Sequence, residues 1–471
     1  MTDLADLSAR ALAAAIRSKE VSPVEATEAV LRRIEARAGL NAFVTVAADE
    51  ALAEARQAET AVLQGAELGP LHGVPYSVKD LLPTKGVRTT MGSRLFAQNI
   101  PVADAPSVAR SRAAGGVMIG KTTTPEYGHT QTAFSPLSGL TLNPIDPGVT
   151  AGASSSGSAV AVAAGMGPLS IGTDGGGSIR IPAACCGIVG MKATLGVIPH
   201  LGVPDLYGAN SYAGPMARDV EDTALFFEVL QGASPLDPWG QAAVQLHADD
   251  LRPLKGLRVG WLPTAGARVE PETAAICASA CRRLEAEGAL VEEADLDFRS
   301  FEGAFLTILR AGLAARAEPA FRGREAEVAP SLVQTARQGL ALSAVDLSHA
   351  TAARTQLFQL MQLHFERYDL LLSPVLTAPP LPLGYDPMGD IEIDGMSAGT
   401  IRGAWYPFTY PHNLTGHPAI ALPWGTTEKG LPVAIQLTAP WYKDRFMLRL
   451  AQIISGLRPD PATPSRREPR I

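Results

Sequence analysis

Two stretches of this chain set serines among residues with little or no side chain. Gly152-Ala153-Ser154-Ser155-Ser156-Gly157-Ser158 is followed by Gly172-Thr173-Asp174-Gly175-Gly176-Gly177-Ser178-Ile179-Arg180. Three glycines directly before a serine let backbone N–H groups converge on one point, because residues without Cβ reach the positive φ that such a nest requires. Donors aimed at the same spot as a serine hydroxyl are what acyl transfer needs. Composition alone would favour a flexible Gly/Ser loop. The flanks argue otherwise, since Ile171 before the run and Ile179, Ile181 and Ile188 after it are apolar enough to bury its ends. A further stretch, Gly115 to Thr122, reads G-G-V-M-I-G-K-T and formally matches the phosphate-cradling GxxxxGK[ST] loop. That motif needs flexible residues between its glycines and a helix after them. Here Val117-Met118-Ile119 is itself strand-like and Thr122 to Pro125 is a poor helix start, so nucleotide binding is not expected and Lys121 is read as structural.

The surrounding sequence alternates strand-like and helix-like segments. Ser22-Pro23-Val24-Glu25 is a capping box with proline at the first helical position, and Val24, Leu31 and Ile34 recur near helical spacing. A second helix is expected from about Asp49 to Leu63. Gly73 to Asp80 is a short apolar strand ending in Lys79 and Asp80, and Gly116 to Gly120 reads as another buried strand. A helix is expected from Ala159 to Ala164. Gly256 to Leu262, Pro271 to Glu287 and Ala289 to Leu296 read as strand, helix, strand, which makes an α/β layered fold the natural expectation. Pro379 to Tyr410, containing glycine, proline and methionine, is expected to be a long functional loop, and the Pro/Arg-rich stretch from Arg458 to Arg470 to fray.

The ordered motifs resemble the amidase signature family of serine hydrolases over nearly the whole chain. They run from Gly73-Val74-Pro75 with Lys79-Asp80, through Gly120-Lys121-Thr122 with Pro125-Glu126-Tyr127-Gly128, Asn143-Pro144 with Gly152 to Ser158, and Gly172 to Pro182 with Gly187 and Gly190-Met191-Lys192. They continue to Gly214-Pro215-Met216 and to Asn413-Leu414-Thr415-Gly416-His417-Pro418 before Leu431-Pro432-Val433. The resemblance implies one α/β domain over 1–471, a mixed twisted sheet with helices on both faces. Within it, 1–65 would form N-terminal helices, 66–225 the catalytic core, 226–457 the remainder with pocket loops, and 458–471 a flexible tail. By position, Ser178 matches the family's nucleophile, Ser154 its bridging serine and Lys79 its basic lysine. The N–H groups of Gly175, Gly176, Gly177 and Ser178 would form the oxyanion hole.

The implied chemistry is hydrolysis of a small, aryl or anilide-type carboxamide, or a related ester or carbamate, through an acyl-enzyme, with no metal or organic cofactor. A lysine is a poor base at its ordinary pKa of ~10.4, so the site must disfavour its charge, and the apolar segment before Lys79 would supply burial. Asp80 should point to the opposite face of the strand. Asp174 and Arg180 are read as a brace for the loop. Tyr127, Gly128, His129, Gln131 and Trp405, with Met396 and Tyr406, are the expected pocket residues. His129, His412 and His417 keep a histidine-based triad open, whereas no S-x-x-K occurs in the chain. Two departures stand out: Ala153 and Ser156 replace usual glycines, and Gly175 replaces a larger residue, which would widen the pocket or loosen the loop. In the family the bridging serine follows a cis peptide. The other functions left open are a glutamine-hydrolysing amidotransferase subunit for charged tRNA and a non-catalytic binding protein on the same fold. The segment Leu201 to Pro215 resembles stand-alone amidases better than such subunits.

Composition limits the remaining classes. The 471 residues carry 47 acids against 40 bases, a net charge of −7, which lacks the basic excess of a nucleic-acid binder. With 46% apolar and 18% charged residues the chain can bury an ample core. Cys185, Cys186, Cys277 and Cys281 are too few and too clustered for a disulfide framework, which fits a reducing compartment. The acidic start and the lack of any apolar stretch near ~18 residues argue against a signal peptide and a membrane span. A cytoplasmic enzyme acting on a small-molecule amide is expected, without nucleic-acid or membrane partners, and a homodimer is compatible with it.

Overall fold

Alternation of side chains along buried strands gives the molecule two apolar cores. In the computed structural model, which describes residues 3–208, 210–240, 243–245 and 247–459, eleven strands join one sheet. In chain order they are β1 Phe43–Val46, β2 Pro75–Lys79, β3 Val117–Thr122, β4 Leu169–Asp174, β5 Val189–Lys192, β6 Tyr212–Ala217, β7 Arg258–Trp261, β8 Leu290–Glu293, β9 Leu370–Pro374, β10 Ala419–Thr426 and β11 Pro432–Thr438. Their order across the sheet is β1-β3-β2-β4-β6-β5-β10-β11-β9-β7-β8. Met118, Leu370, Leu372, Ile420 and Leu422 pack into one core, and their strand neighbours Val117, Ile119, Leu371 and Ala421 into the other. Successive side chains on a strand face opposite ways, so each core lies on its own face of the sheet.

The helices that matter for the site are α1 Pro23–Ala36, α2 Ala48–Leu63, α3 Ser156–Ala163, α4 Arg180–Cys186, α5 Pro271–Ala286, α6 Glu302–Phe321, α7 Pro330–Leu340 and α8 Ala344–Arg367. The expected capping box opens α1: Ser22 Oγ accepts from Glu25 N–H at 3.0 Å, and Ser22 N–H donates to Glu25 Oε2 at 2.8 Å. Cys277, Ala280, Cys281 and Leu284 of α5 pack into the first core, while Ala159 to Val162 of α3 and Ile181, Ala183, Ala184, Cys185 and Cys186 of α4 fill the second. Helices therefore cover both faces.

Pairing direction brings the lysine-bearing strand beside the strand that leads into the glycine run. β2 runs parallel to both neighbours, with Lys79 opposite Thr122 on β3 and Val78 opposite Ile171 on β4. β4 then pairs antiparallel with β6, Asp174 opposite Tyr212. The ends of β2 and β4 thus emerge side by side where the sheet changes direction.

One expectation needs revision. The segment from Pro379 to Tyr410 is not one loop: Asp390–Ile393 and Met396–Thr400 form a hairpin, followed by a short helix Ile401–Trp405. Asp394 and Gly395 both have positive φ, 54° and 67°, as the D-G hairpin turn requires, and Ile391 and Ile393 are buried between exposed Asp390 and Glu392. The formal phosphate motif lies mainly in β3, and Lys121 Nζ donates to Thr84 Oγ1 at 2.9 Å and Thr89 Oγ1 at 2.8 Å in the interior. Of the stretch expected to fray, residues 460–471 lie outside the described residues. Among the described residues no helix is long and apolar enough to cross a membrane.

Candidate active site

Every residue of β2 is buried, and Lys79 at its end has no accessible surface. Its Nζ lies 2.8 Å from Ser154 Oγ, 2.9 Å from Ser155 Oγ and 3.2 Å from Thr173 O. Burial pushes the amine well below the ordinary lysine value; the Asp174 carboxylate opposes this and the Arg316 guanidinium adds to it. Asp80 points away, accepting from Thr90 N–H at 3.0 Å and facing Lys121 at 4.0 Å.

Ser154 and Ser155 immediately precede α3, and the Ala153–Ser154 peptide is cis. Ser155, a residue that sequence reasoning did not single out, ties three segments together. Its Oγ donates to Thr173 O at 3.0 Å and accepts from Thr173 N–H at 3.2 Å. Its own N–H donates to Ser178 O at 3.1 Å, joining the two serine-bearing loops directly.

The glycine loop after β4 is shaped by Asp174. Its Oδ1 accepts from Gly177 N–H at 2.6 Å and its Oδ2 from Ile179 N–H at 3.2 Å. Arg180 pairs with it, Nε to Oδ2 at 3.0 Å, and reaches on to Gln436 at 2.8 Å and Asn413 at 2.7 Å. Burial alone would raise the Asp174 carboxyl, but Arg180, Asn413 and the Gly177 N–H hold it well below the usual carboxylate range. One expectation changes here: Gly177 N–H is committed to Asp174. The N–H groups of Gly175, Gly176 and Ser178 have no acceptor among the described residues. Gly177 itself sits at φ +119°, and a Cβ there would meet Thr409 Oγ1 at 2.4 Å, whereas a Cβ on Gly175 would meet nothing within 4 Å.

Ser154, Thr173, Gly175 and Ser178 open onto one cavity of about 630 Å³. Tyr127, Gly128 and His129 line it, together with Leu309, Leu313 and Arg316 of α6 and Phe358 of α8. Tyr127 and Gly128 both have positive φ, and a Cβ on Gly128 would come within 3.1 Å of Ser154 Oγ, so glycine is what lets this wall approach. Gln131 and Trp405 are not among the lining residues. Trp405 is fully buried because the short helix turns it inward, where Nε1 donates to Ala378 O at 3.1 Å. Gln131 is held by its backbone, its carbonyl accepting from Tyr385 at 2.9 Å. Tyr406 is buried and Met396 is exposed, and neither lines the cavity.

The histidines are engaged elsewhere. His129 uses both ring nitrogens, Nδ1 with Glu126 O at 2.6 Å and Nε2 with Ser331 Oγ at 2.8 Å, and burial lowers it to about 4. His412 meets Thr438 Oγ1 at 3.3 Å, and His417 meets Thr415 Oγ1 at 2.8 Å, within a shell of Phe358, Phe365 and Trp441. Neither borders the cavity.

The sequence pattern of the amidase family matches residues 25–448. An acylamidase from Rhodococcus erythropolis is 36% identical over 459 residues, covering 96% of each chain. The A subunit of the glutamyl-tRNA(Gln) amidotransferase from Moorella thermoacetica is 35% identical over 477 residues, covering 94% of this chain and 95% of its own. Among solved structures, a bacterial aryl acylamidase of the amidase signature family superposes with a TM-score of 0.88 at 29% identity, covering 96% of this chain and 99% of its own. Family pattern, full-length relatives and superposition converge: the chain belongs to the amidase family, the amidase signature enzymes.

Proposed function

We propose that this protein hydrolyses carboxamides through an acyl-enzyme on Ser178, with Ser154 as proton relay and Lys79 as base. The observation that carries the assignment is the hydrogen accounting around Nζ. A neutral amine has two N–H groups and one lone pair. Thr173 O has no hydrogen to give, and Ser155 spends its own on that carbonyl. Only Ser154 is left to donate to the lone pair, across 2.8 Å. Its oxygen is then free to accept from Ser178, which borders the same cavity.

In the first half-reaction Ser178 Oγ attacks the amide carbon as its proton passes to Ser154, whose own proton passes to Lys79. The developing oxyanion is met by the free N–H groups of Gly175, Gly176 and Ser178, each of the kind whose loss typically costs ~3 kcal/mol. Protons then return through Ser154 to the leaving amine as the C–N bond breaks. Water repeats the sequence on the ester and releases the acid. The cavity's mainly apolar α6 wall suits an aryl or extended acyl or amine group, and the acylamidase and aryl acylamidase similarity supports that class. Four buried free cysteines support a cytoplasmic setting.

The test is mass detection of an acyl adduct on Ser178 with an anilide substrate, alongside Lys79→Ala and Ser154→Ala. Adduct formation that persists undiminished in both variants would overturn the relay. Similarity to the tRNA-dependent amidotransferase relative gives the second reading. It requires glutaminase activity and co-purifying partner chains, and turnover of anilides by the isolated chain counts against it.

A further inference from the structure

A guanidinium on the cavity wall has no carboxylate beside it among the described residues. Arg316 on α6 lines the same space as Ser154 and Ser178. Its Nη2 donates to Tyr127 O at 2.9 Å, and its guanidinium lies over the Tyr127 ring at 5.6 Å from the centroid. Its Nε is buried and has no hydrogen-bond partner. No carboxylate among the described residues makes an ion pair with it. Other buried basic groups near the centre are engaged inside the fold. Arg180 is matched by Asp174, Lys121 by Asp80 and two threonines, and Lys192 by the Ala193 carbonyl and the Tyr212 ring.

Removing part of a guanidinium from water without an anion is costly, and a carboxylate arriving from outside would supply the missing charge. A planar guanidinium matches a carboxylate through two parallel hydrogen bonds. Leu309, Leu313 and Tyr127 line the same cavity, and a less polar surrounding strengthens any such pair. Resting on the amidase reading above, the geometry points to Arg316 as a specificity residue that receives a carboxylate on the substrate, remote from the scissile amide. The substrates selected are thus N-acyl or N-aryl amides that carry a free acid, such as half-amides of dicarboxylic acids or amides of aminobenzoic acids.

Binding tests this without relying on turnover. The Ser178→Ala full-length protein is titrated calorimetrically with two matched pairs, glutaric acid mono-4-nitroanilide against its terminal carboxamide, and 4-acetamidobenzoate against 4-acetamidobenzamide. In at least one pair the carboxylate member binds about tenfold or more tighter, as expected for a charge-assisted bond. In Ser178→Ala/Arg316→Gln that ratio collapses to about one, and Arg316→Lys keeps part of it, since it retains charge but loses the planar fork. A merely structural brace would lower both members together and leave the ratio intact. Equal affinities in both pairs, no binding of either carboxylate, or a ratio that survives Arg316→Gln would overturn the assignment. Turnover of the same compounds by the wild-type protein separately tests the role of Ser178, so a carboxylate preference without hydrolysis would count against that reading alone.

Discussion

Lys79 Nζ lies 2.8 Å from Ser154 Oγ although 75 residues separate the two in the chain. The amine touches two hydroxyls and a carbonyl, and no carboxylate hydrogen-bonds to it. Burial therefore outweighs the opposing Asp174 carboxylate, which is how a lysine becomes available as a base well below its ordinary pKa.

The first prediction concerns pH. Protonation of Lys79 removes the base, so kcat/KM should rise with pH through the amine's depressed pKa and then stay level where an ordinary lysine would still be charged. A pH–rate profile checks this. An acid limb centred near the ordinary lysine value of ~10.4 would contradict it. Lys79→Ala should lower kcat by about 10²- to 10⁴-fold, the usual contribution of a positioned base.

Ser155 should matter without touching substrate. Ser155→Ala removes an acceptor from Lys79 and leaves the buried Thr173 N–H and carbonyl short of a partner. A loss of about 1–3 kcal/mol in unfolding free energy is expected, with kcat reduced about tenfold and KM little changed. Steady-state kinetics and denaturant melts measure both, and an unchanged kcat would remove Ser155 from the positioning of the base.

The Asp174–Arg180 pair should be costly to break. Arg180→Leu leaves a buried carboxylate unpaired and is expected to destabilise the fold by about 3–5 kcal/mol. The sign with pH is fixed by the depressed Asp174 carboxyl. Its stabilising contribution is complete above the ordinary carboxylate range and is lost as pH falls below it. The stability gap between wild type and variant should therefore shrink on acidification, as denaturant unfolding at several pH values would show.

Two glycines of one loop should respond oppositely. Gly177→Ala forces a side chain onto Thr409 Oγ1 at a backbone angle of +119° and should abolish adduct formation on Ser178. Gly175→Ala projects into open space beside the nucleophile. It should fold normally and shift preference toward smaller substrates, read as changed kcat/KM ratios over an acyl-length series. Equal activity of the two variants would contradict the assigned loop geometry.

Much of this arrangement is legible in the chain. The capping box at Ser22, the strand ending at Lys79 and the glycine run before Ser178 are local signals, set by residue type over a few positions. What is not legible depends on three-dimensional accounting. Ser155 reads as one serine among three, and its importance comes from β4 placing Thr173 alongside β2. Gly177 reads as an oxyanion donor, but Asp174 three residues earlier claims its N–H. Trp405 reads as a pocket aromatic because its segment resembles a loop. The Asp394-Gly395 turn is the available sign that it folds into a hairpin and helix instead. Arg316 carries no sequence signal at all, since only tertiary packing decides whether an arginine on a helix meets an acid.

The far wall of the cavity has a packing unit of its own. Leu313, Ala317 and Phe321 of α6 join Leu332, Val333 and Ala336 of α7 and Tyr127 in a small apolar cluster separate from the two large cores. Selection acting on α6 and α7 can therefore retune what enters the chamber while the lysine and its serines keep their places. Descendants of one hydrolytic centre could diverge in diet by replacing the lining and leaving the engine alone.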